Sequence, residues 1–227
     1  MFLMPHPIAR TGRPASAGFS LVELMVGMAV GLILMAAMVA LVISVLRTNA
    51  DVVASARLTQ EGRAIGEIMH RELKRARFNG DYLTFVGQGA TPVNPFSPVT
   101  GANAAAALID DDCIKFAYDA DDDGALDTNE VKSFFLDGGA VYFSQASTYA
   151  AALCAAGDGA MRLSSPDVRV TGLNFEQFDA DPLAVGGENK NRIIIEFALA
   201  LTRKAGDDTG ITRQFGQTIQ LRNPILD

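Results

Sequence analysis

An uninterrupted apolar segment near the N-terminus is the strongest hydrophobic pattern in the chain. Residues 24–46 contain no Asp, Glu, Lys, Arg, His or Pro, and these 23 residues exceed the roughly 20 that an apolar helix needs to cross a bilayer. Arg10 and Arg13 precede the segment, and basic flanks of this kind stay on the cytoplasmic side. The pattern predicts a transmembrane helix over residues 19–46, with a cytoplasmic N-terminus and an exported remainder.

A second hydrophobic pattern, with helical spacing, follows the apolar segment. No proline interrupts residues 19–78, so we expect one helix whose second half, residues 47–78, is amphipathic. Its apolar positions recur at steps of three and four residues and are Val53, Ala56, Ile65, Ile68, Met69, Leu73 and Ala76. We expect this stripe to pack on a sheet, and Asn79-Gly80 to end the helix in a left-handed turn.

Alternating apolar positions predict a strand-rich head over residues 79–227. After a long loop at residues 80–112, the expected strands cover residues 113–118, 131–136, 140–145, 168–178, 192–202 and 212–222. The apolar phase shifts at Gly172, which predicts a β-bulge there. The order of elements is typical of the α+β class, with the amphipathic half of the helix packed on an antiparallel β-sheet.

Composition narrows the classes of function. The formal net charge is −7, and the chain contains no Trp and two histidines. A nucleic-acid-binding domain requires a basic surface with stacking aromatics, so we expect no nucleic-acid partner. The sequence contains no nucleophile motif, and its carboxylates are not spaced as an acid–base pair. We therefore expect a protein that is not an enzyme, and a membrane-anchored periplasmic enzyme is the alternative from another class.

The two cysteines, Cys113 and Cys154, both lie in the part of the chain that we expect to be exported. In an oxidising compartment an even number of cysteines is typical of disulfide bonding. A bridge between them would close a loop of about 40 residues and contribute roughly 3–4 kcal/mol in the chain-entropy model. The alternative is a pair of buried free thiols.

An acidic stretch, DADDDGALDTNE at residues 119–130, has the spacing of an EF-hand calcium loop. Calcium takes six to eight oxygen ligands. The candidates are the carboxylates of Asp119, Asp121, Asp123, Asp127 and a bidentate Glu130, together with the backbone carbonyl of Ala125. Gly124 permits the sharp turn at the sixth position. Because strands are predicted on both sides, we expect calcium binding without the EF-hand fold, and we expect Glu130→Gln to abolish it. A solvated acidic hairpin tip is the alternative.

A further motif overlaps the start of the apolar segment and reads Gly18-Phe19-Ser20-Leu21-Val22-Glu23. It resembles the class III signal of type IV prepilins and pseudopilins, whereas a plain single-pass anchor would not explain this order of residues. The resemblance implies a leader over residues 1–18, cleavage after Gly18 by the prepilin peptidase, and methylation of Phe19. It also implies that Glu23 pairs with the N-terminal amine of a neighbouring subunit. Because an unpaired carboxylate is costly in hydrocarbon, a membrane segment is expected to keep one only with a partner.

Further motifs resemble the PilW family of minor pilins. They are Gln60-Glu61-Gly62-Arg63, His70-Arg71-Glu72-Leu73, Asp112-Cys113-Ile114 and the stretch VRVTGLNF at residues 168–175. The resemblance implies a low-abundance subunit that joins other minor pilins and the major pilin, helps to start pilus assembly, and carries a PilY-type adhesin at the tip. It implies an anchor in the inner membrane and a periplasmic head that later reaches the pilus tip. The alternative within the superfamily is a J-type minor pseudopilin of a type II secretion system.

Overall fold

The computed structural model describes residues 18–81, 94–99, 110–178, 192–201 and 211–222. Residues 1–17 of the predicted leader, most of the predicted loop at 80–112 and the final residue of the predicted strand at 192–202 lie outside the described residues. The chain divides into two compact units, Met1–Ala50 and Asp51–Asp227. The boundary between the units falls within a single helix.

Helix α1 covers Leu21–Leu73, a span of 53 residues. The described residues of the first unit are all exposed. By length and composition this apolar part of α1 can cross a membrane. The structure therefore agrees with the membrane anchor that the apolar segment predicted.

Helix α1 ends earlier than the sequence predicted. One tighter turn follows Leu73, in which the N–H of Ala76 donates to Leu73 O at 3.0 Å. Arg77 then adopts a left-handed conformation with φ of 67°, and its N–H donates to Ala117 O at 2.8 Å. The predicted stop at Asn79-Gly80 is therefore wrong. The chain leaves the helix at Leu73, and Arg77, rather than a glycine, takes the left-handed conformation and bonds to the strand residue Ala117.

The buried stripe of α1 in the second unit also differs from the predicted one. Its buried residues are Leu58, Gly62, Ile65, Gly66, Met69 and Leu73. Val53 and Ala56, which we expected to pack on the sheet, are exposed, and the first buried residue of the helix is Leu58. A Cβ atom on Gly62 would overlap the ring of Phe215. At Gly62 the helix therefore contacts the sheet through the Phe215 ring, and no apolar side chain of the helix marks this contact.

Within the described residues, eight strands form two antiparallel sheets. The strands are β1 (Asp110–Asp111), β2 (Cys113–Ala117), β3 (Val131–Asp137), β4 (Ala140–Ala146), β5 (Met161–Arg162), β6 (Val168–Phe178), β7 (Arg192–Leu201) and β8 (Thr212–Gln220). One sheet has the order β1-β6-β7-β8, and the other has the order β2-β3-β4-β5. We expected a single sheet and missed β1 and β5, since two-residue strands are too short to show an alternating pattern.

Strand pairing confirms the predicted bulge and shows a tight hairpin turn. β6 pairs with β7, and the register shifts between Val170 and Gly172, which is the predicted bulge. β3 pairs with β4 from Val131↔Ala146 to Asp137↔Ala140. The turn between them uses Gly138 and Gly139, both at positive φ. This is the geometry that a two-residue hairpin turn requires.

The second half of α1 and both sheets contribute to one hydrophobic core. The helix supplies Leu58, Ile65, Met69 and Leu73, and the turn after it supplies Ala76. The sheets supply residues such as Ile114, Phe134, Val141, Phe175, Ile195 and Ile219. A smaller cluster forms around Phe96 with Ala117, Val131 and Ala152. The predicted α+β class, with a long N-terminal helix and antiparallel strands, is confirmed.

The predicted disulfide is present. Cys113, the first residue of β2, is bonded to Cys154, with 5.6 Å between their Cα atoms. The bridge spans a sequence separation of 41 residues and attaches the segment between β4 and β5 to the edge of its sheet.

Candidate functional sites

The residues of the prepilin motif lie at the start of α1. Gly18 and Phe19 precede the helix and are exposed, with Phe19 at 85% relative accessibility. The N–H of Leu24 donates to Ser20 O at 3.1 Å, which is the first helical hydrogen bond. Glu23 lies in the first turn of the helix, where its carboxylate accepts a hydrogen bond from the Ser20 N–H at 3.4 Å. The bond after Gly18 is thus accessible, and Glu23 lies within one turn of it.

The acidic loop brings three of its six predicted ligands together. Ligand atoms of Asp119, Asp121 and Asp123 lie within 4.8 Å of one another. Asp121 and Asp123 are exposed, whereas Asp119 is buried with a relative accessibility of 1%. In the part of the chain that the structure describes, Asp127 and Glu130 are not members of this group.

Asp119 attaches the acidic loop to the residues that follow α1. Its Oδ2 accepts N–H bonds from Gly80 and Gly124, each at 2.9 Å, and its Oδ1 accepts one from Asp122 at 2.7 Å. Burial raises the pKa of this carboxyl, but the backbone amides of Gly80, Gly124 and Asp122 outweigh burial and lower the pKa of Asp119 below its ordinary value. The carboxylate form is therefore the one that the surrounding backbone stabilises.

Glu130 braces the other end of the loop. Its Oε1 accepts the Ala120 N–H at 2.7 Å, and its Oε2 accepts the Asp127 N–H at 3.0 Å. The side chain is buried, with the residue at 2% relative accessibility. Ala125 also donates its N–H to Asp123 Oδ1 at 2.8 Å. The loop is thus held by its own carboxylates, and Glu130 has a structural role that the EF-hand spacing did not indicate.

The backbone of the loop has the sharp turn that its glycine predicted. Gly124 has φ of 77°, and Asp122 and Asn129 are also left-handed, with φ of 65° and 66°. A Cβ atom on Gly124 would lie 2.8 Å from Asp81 Cβ, closer than real Cβ contacts. Glycine is therefore required at this position both by conformation and by the close approach of the segment after α1.

Tyr118, next to the acidic loop, lies close to two cations. Arg75 Cζ is 4.1 Å and Lys132 Nζ is 4.2 Å from the ring centroid. The Tyr118 hydroxyl donates to Glu72 Oε2 at 2.7 Å, and Lys132 Nζ donates to Asn129 O at 2.8 Å. Burial, and then the hydrogen bond to Glu72, raise the pKa of Tyr118. Sequence reasoning missed this group because its members come from the helix and from strand ends without a common motif.

Two family models match the chain. The model for prepilin peptidase-dependent protein B matches residues 51–221, more than half of the 227-residue chain. The model for the prokaryotic N-terminal methylation motif matches residues 13–39 and so includes Gly18, Phe19 and Glu23. No curated protein and no solved structure matches the chain. The chain therefore belongs to the prepilin peptidase-dependent protein B family and is a type IV pilin-like protein with a prepilin-type methylation motif.

Proposed function

We propose that this protein is a minor pilin of the PilW type that helps to initiate type IV pilus assembly within a minor pilin complex at the pilus tip. The observation that carries the proposal is the prepilin motif at residues 18–23, joined to a head that matches prepilin peptidase-dependent protein B. The exposed Gly18 and Phe19 support cleavage and methylation by the prepilin peptidase. The role is structural rather than enzymatic, with the major pilin, other minor pilins and a PilY-type adhesin as partners.

Assembly in this proposal depends on α1. Before assembly the apolar half of the helix anchors the subunit in the inner membrane, and the unit Asp51–Asp227 is periplasmic. In the filament, Glu23 pairs with the Phe19 amine of a neighbouring subunit. Each group is costly alone in hydrocarbon, and pairing removes the net charge of both.

Deletion of the gene tests the pilus role. We expect surface pili to be lost or strongly reduced, and secreted hydrolases to remain at their normal level. Complementation with Glu23→Gln should fail to restore pili, while Glu67→Gln, on an exposed position of the same helix, should restore them. Normal pili together with a loss of secreted hydrolases would contradict the proposal and favour the J-type minor pseudopilin.

We also propose that residues 119–130 bind calcium. Three observations support this: the EF-hand spacing, the left-handed Gly124, and the group of Asp119, Asp121 and Asp123 within 4.8 Å. These three carboxylates would supply the first ligands. The Ala125 carbonyl, Asp127 and Glu130 are the remaining candidates. Glu130 would coordinate the cation while keeping the hydrogen bonds that it accepts from two backbone amides. The bound cation would rigidify the loop and offset the repulsion among its carboxylates.

A thermal melt of residues 51–227 tests calcium binding. For a site with a dissociation constant of ~10 μM, a hundredfold excess of calcium stabilises the fold by about 2.7 kcal/mol, which raises Tm by roughly 5–10 °C. Glu130→Gln is an unsuitable test because Glu130 accepts hydrogen bonds from two backbone amides without any metal. Its replacement would therefore disturb the loop whether or not calcium binds. We expect the shift to be lost in Asp121→Asn and kept in Asp158→Asn, an exposed aspartate outside the loop. The same Tm in chelator and in calcium would return the loop to a plain acidic hairpin.

A further inference from the structure

Glu23 is turned back on the first turn of its own helix. Ser20 precedes α1, and its carbonyl accepts the first helical hydrogen bond, from the Leu24 N–H. The Ser20 N–H donates to Glu23 Oε2 at 3.4 Å. Ser20 is thus the N-cap residue and Glu23 the third residue of the helix, which is the Ser-x-x-Glu order of a capping box.

This contact changes the cost of keeping Glu23 in the membrane segment. The first amides of a helix have no partner within the helix, and in hydrocarbon an unsatisfied amide is costly. An unpartnered carboxylate there is costly as well. The hydrogen bond from the Ser20 N–H to Glu23 gives both the amide and the carboxylate a partner. The positive end of the helix dipole stabilises the carboxylate further. Glu23 therefore has a partner within its own chain before any neighbouring subunit arrives.

We propose that the Ser20 amide is a positioning group for assembly. It holds Glu23 against the start of its own helix in the unassembled subunit, and it presents the other oxygen, Oε1, to the Phe19 amine of the neighbour. A carboxylate can accept about four hydrogen bonds, so the bond from Ser20 leaves acceptor capacity for that amine. A side chain fixed in this way loses less rotamer freedom when the neighbour binds. The inference rests on the proposed pairing of Glu23 between subunits.

The contact itself can be tested by NMR on the full chain, labelled with ¹⁵N and reconstituted in phospholipid nanodiscs. The Ser20 amide proton should shift downfield with a single inflection as Glu23 loses its proton. We expect the same inflection in Ser20→Ala, which keeps the N–H, and none in Glu23→Gln. The amide of Ala36, in the middle of the apolar segment, should not follow this titration in any of the chains. A Ser20 amide that ignores the titration of Glu23 would overturn the proposal.

The consequence for assembly is tested with Ser20→Pro, which removes the N–H. Because Ser20 precedes the first helical residue, its N–H makes no backbone bond within the helix, and proline at this position breaks none. Variants are expressed in cells that lack the native gene, and incorporation into sheared filaments is scored on chains whose mass shows that the leader has been removed. Ser20→Pro should lower incorporation as strongly as Glu23→Gln, with Ser20→Ala at the wild-type level. If Ser20→Pro is incorporated normally and Glu23→Gln is not, the positioning role is wrong and the pairing role stands. If neither variant is impaired, the pairing role of Glu23 is wrong as well.

Discussion

At the scale of the residue, glycine sets how closely the elements of the head approach one another. Gly62 faces the ring of Phe215, and Gly124 faces Asp81. The two positions differ in kind, because Gly124 also needs its left-handed φ, whereas Gly62 is an ordinary helical residue whose missing side chain makes room. Adding one methyl group at Gly62 therefore isolates the effect of packing from the effect of backbone conformation.

We predict that Gly62→Ala destabilises the head by about 1 kcal/mol. Alanine favours a helix by roughly 1 kcal/mol over glycine, but overpacking costs about 1–3 kcal/mol. The Phe215 ring has little freedom to move away, because it stacks on Phe197 with 5.1 Å between ring centroids. Urea unfolding of residues 51–227 measures the change.

Gly157→Ala is the control for Gly62→Ala. Its new methyl group would meet Leu153 Cδ1 at 4.0 Å, an ordinary contact. We therefore expect its unfolding midpoint to differ from that of the unsubstituted chain by no more than a surface substitution usually causes. A midpoint for Gly62→Ala at or above that of the unsubstituted chain would show that the Phe215 ring repacks without cost.

At the scale of the element, the second half of α1 is held to the head by polar contacts as well as by its buried stripe. Glu61 accepts two hydrogen bonds from Ser165, one from the N–H and one from the hydroxyl at 2.7 Å. Arg57 pairs with Asp167 at 2.9 Å, but both side chains are at least half exposed. Exposed pairs of this kind contribute little, so we expect Glu61 to be the more important attachment.

We predict that Glu61→Gln destabilises the head by about 1–2 kcal/mol. Glutamine is neutral and has one acceptor oxygen in place of two. Both hydrogen bonds from Ser165 therefore lose their charged acceptor, and either the N–H or the hydroxyl is left without an acceptor oxygen on residue 61. Glu67→Gln makes the same change of charge at an exposed position of α1 and is the matched control. Equal unfolding midpoints for the two variants would contradict the assignment of Glu61 as an attachment point.

At the scale of the whole molecule, the structure combines a helix that can cross a membrane with a head stapled by a disulfide. The bridge from Cys113 to Cys154 closes a loop of 41 residues in sequence separation and includes β3 and β4 within it. Such a covalent link constrains the unfolded chain more than it changes the folded one. Its contribution is therefore expected to appear in any measurement of global unfolding.

We predict that replacing both cysteines by alanine lowers the free energy of unfolding of residues 51–227 by about 3–4 kcal/mol. Reduction of the unsubstituted chain should produce a similar loss, which separates the effect of the bridge from that of the side chains. Reductant should leave the double variant unchanged. A double variant as stable as the oxidised chain would show that the fold does not depend on the bridge.

The acidic loop shows why only part of the candidate site could be predicted. Its residue spacing predicted both the turn at Gly124 and the gathering of Asp119, Asp121 and Asp123, because these depend on local chain geometry. The same spacing could not show that Asp119 binds the Gly80 amide, since that contact joins segments about 40 residues apart in sequence.

The sequence by itself determined the features that depend on composition and short-range periodicity. These are the membrane-spanning capacity of α1, the prepilin motif, the six longer strands and the bulge at Gly172. Only the tertiary structure decided where α1 ends, which of its residues are buried, and how the strands divide between two sheets. Arg77 finds its partner on a strand, and Gly62 is buried because Phe215 covers it. Such pairings between distant segments carry no mark in the local pattern, because they are selected by the packing of the whole head.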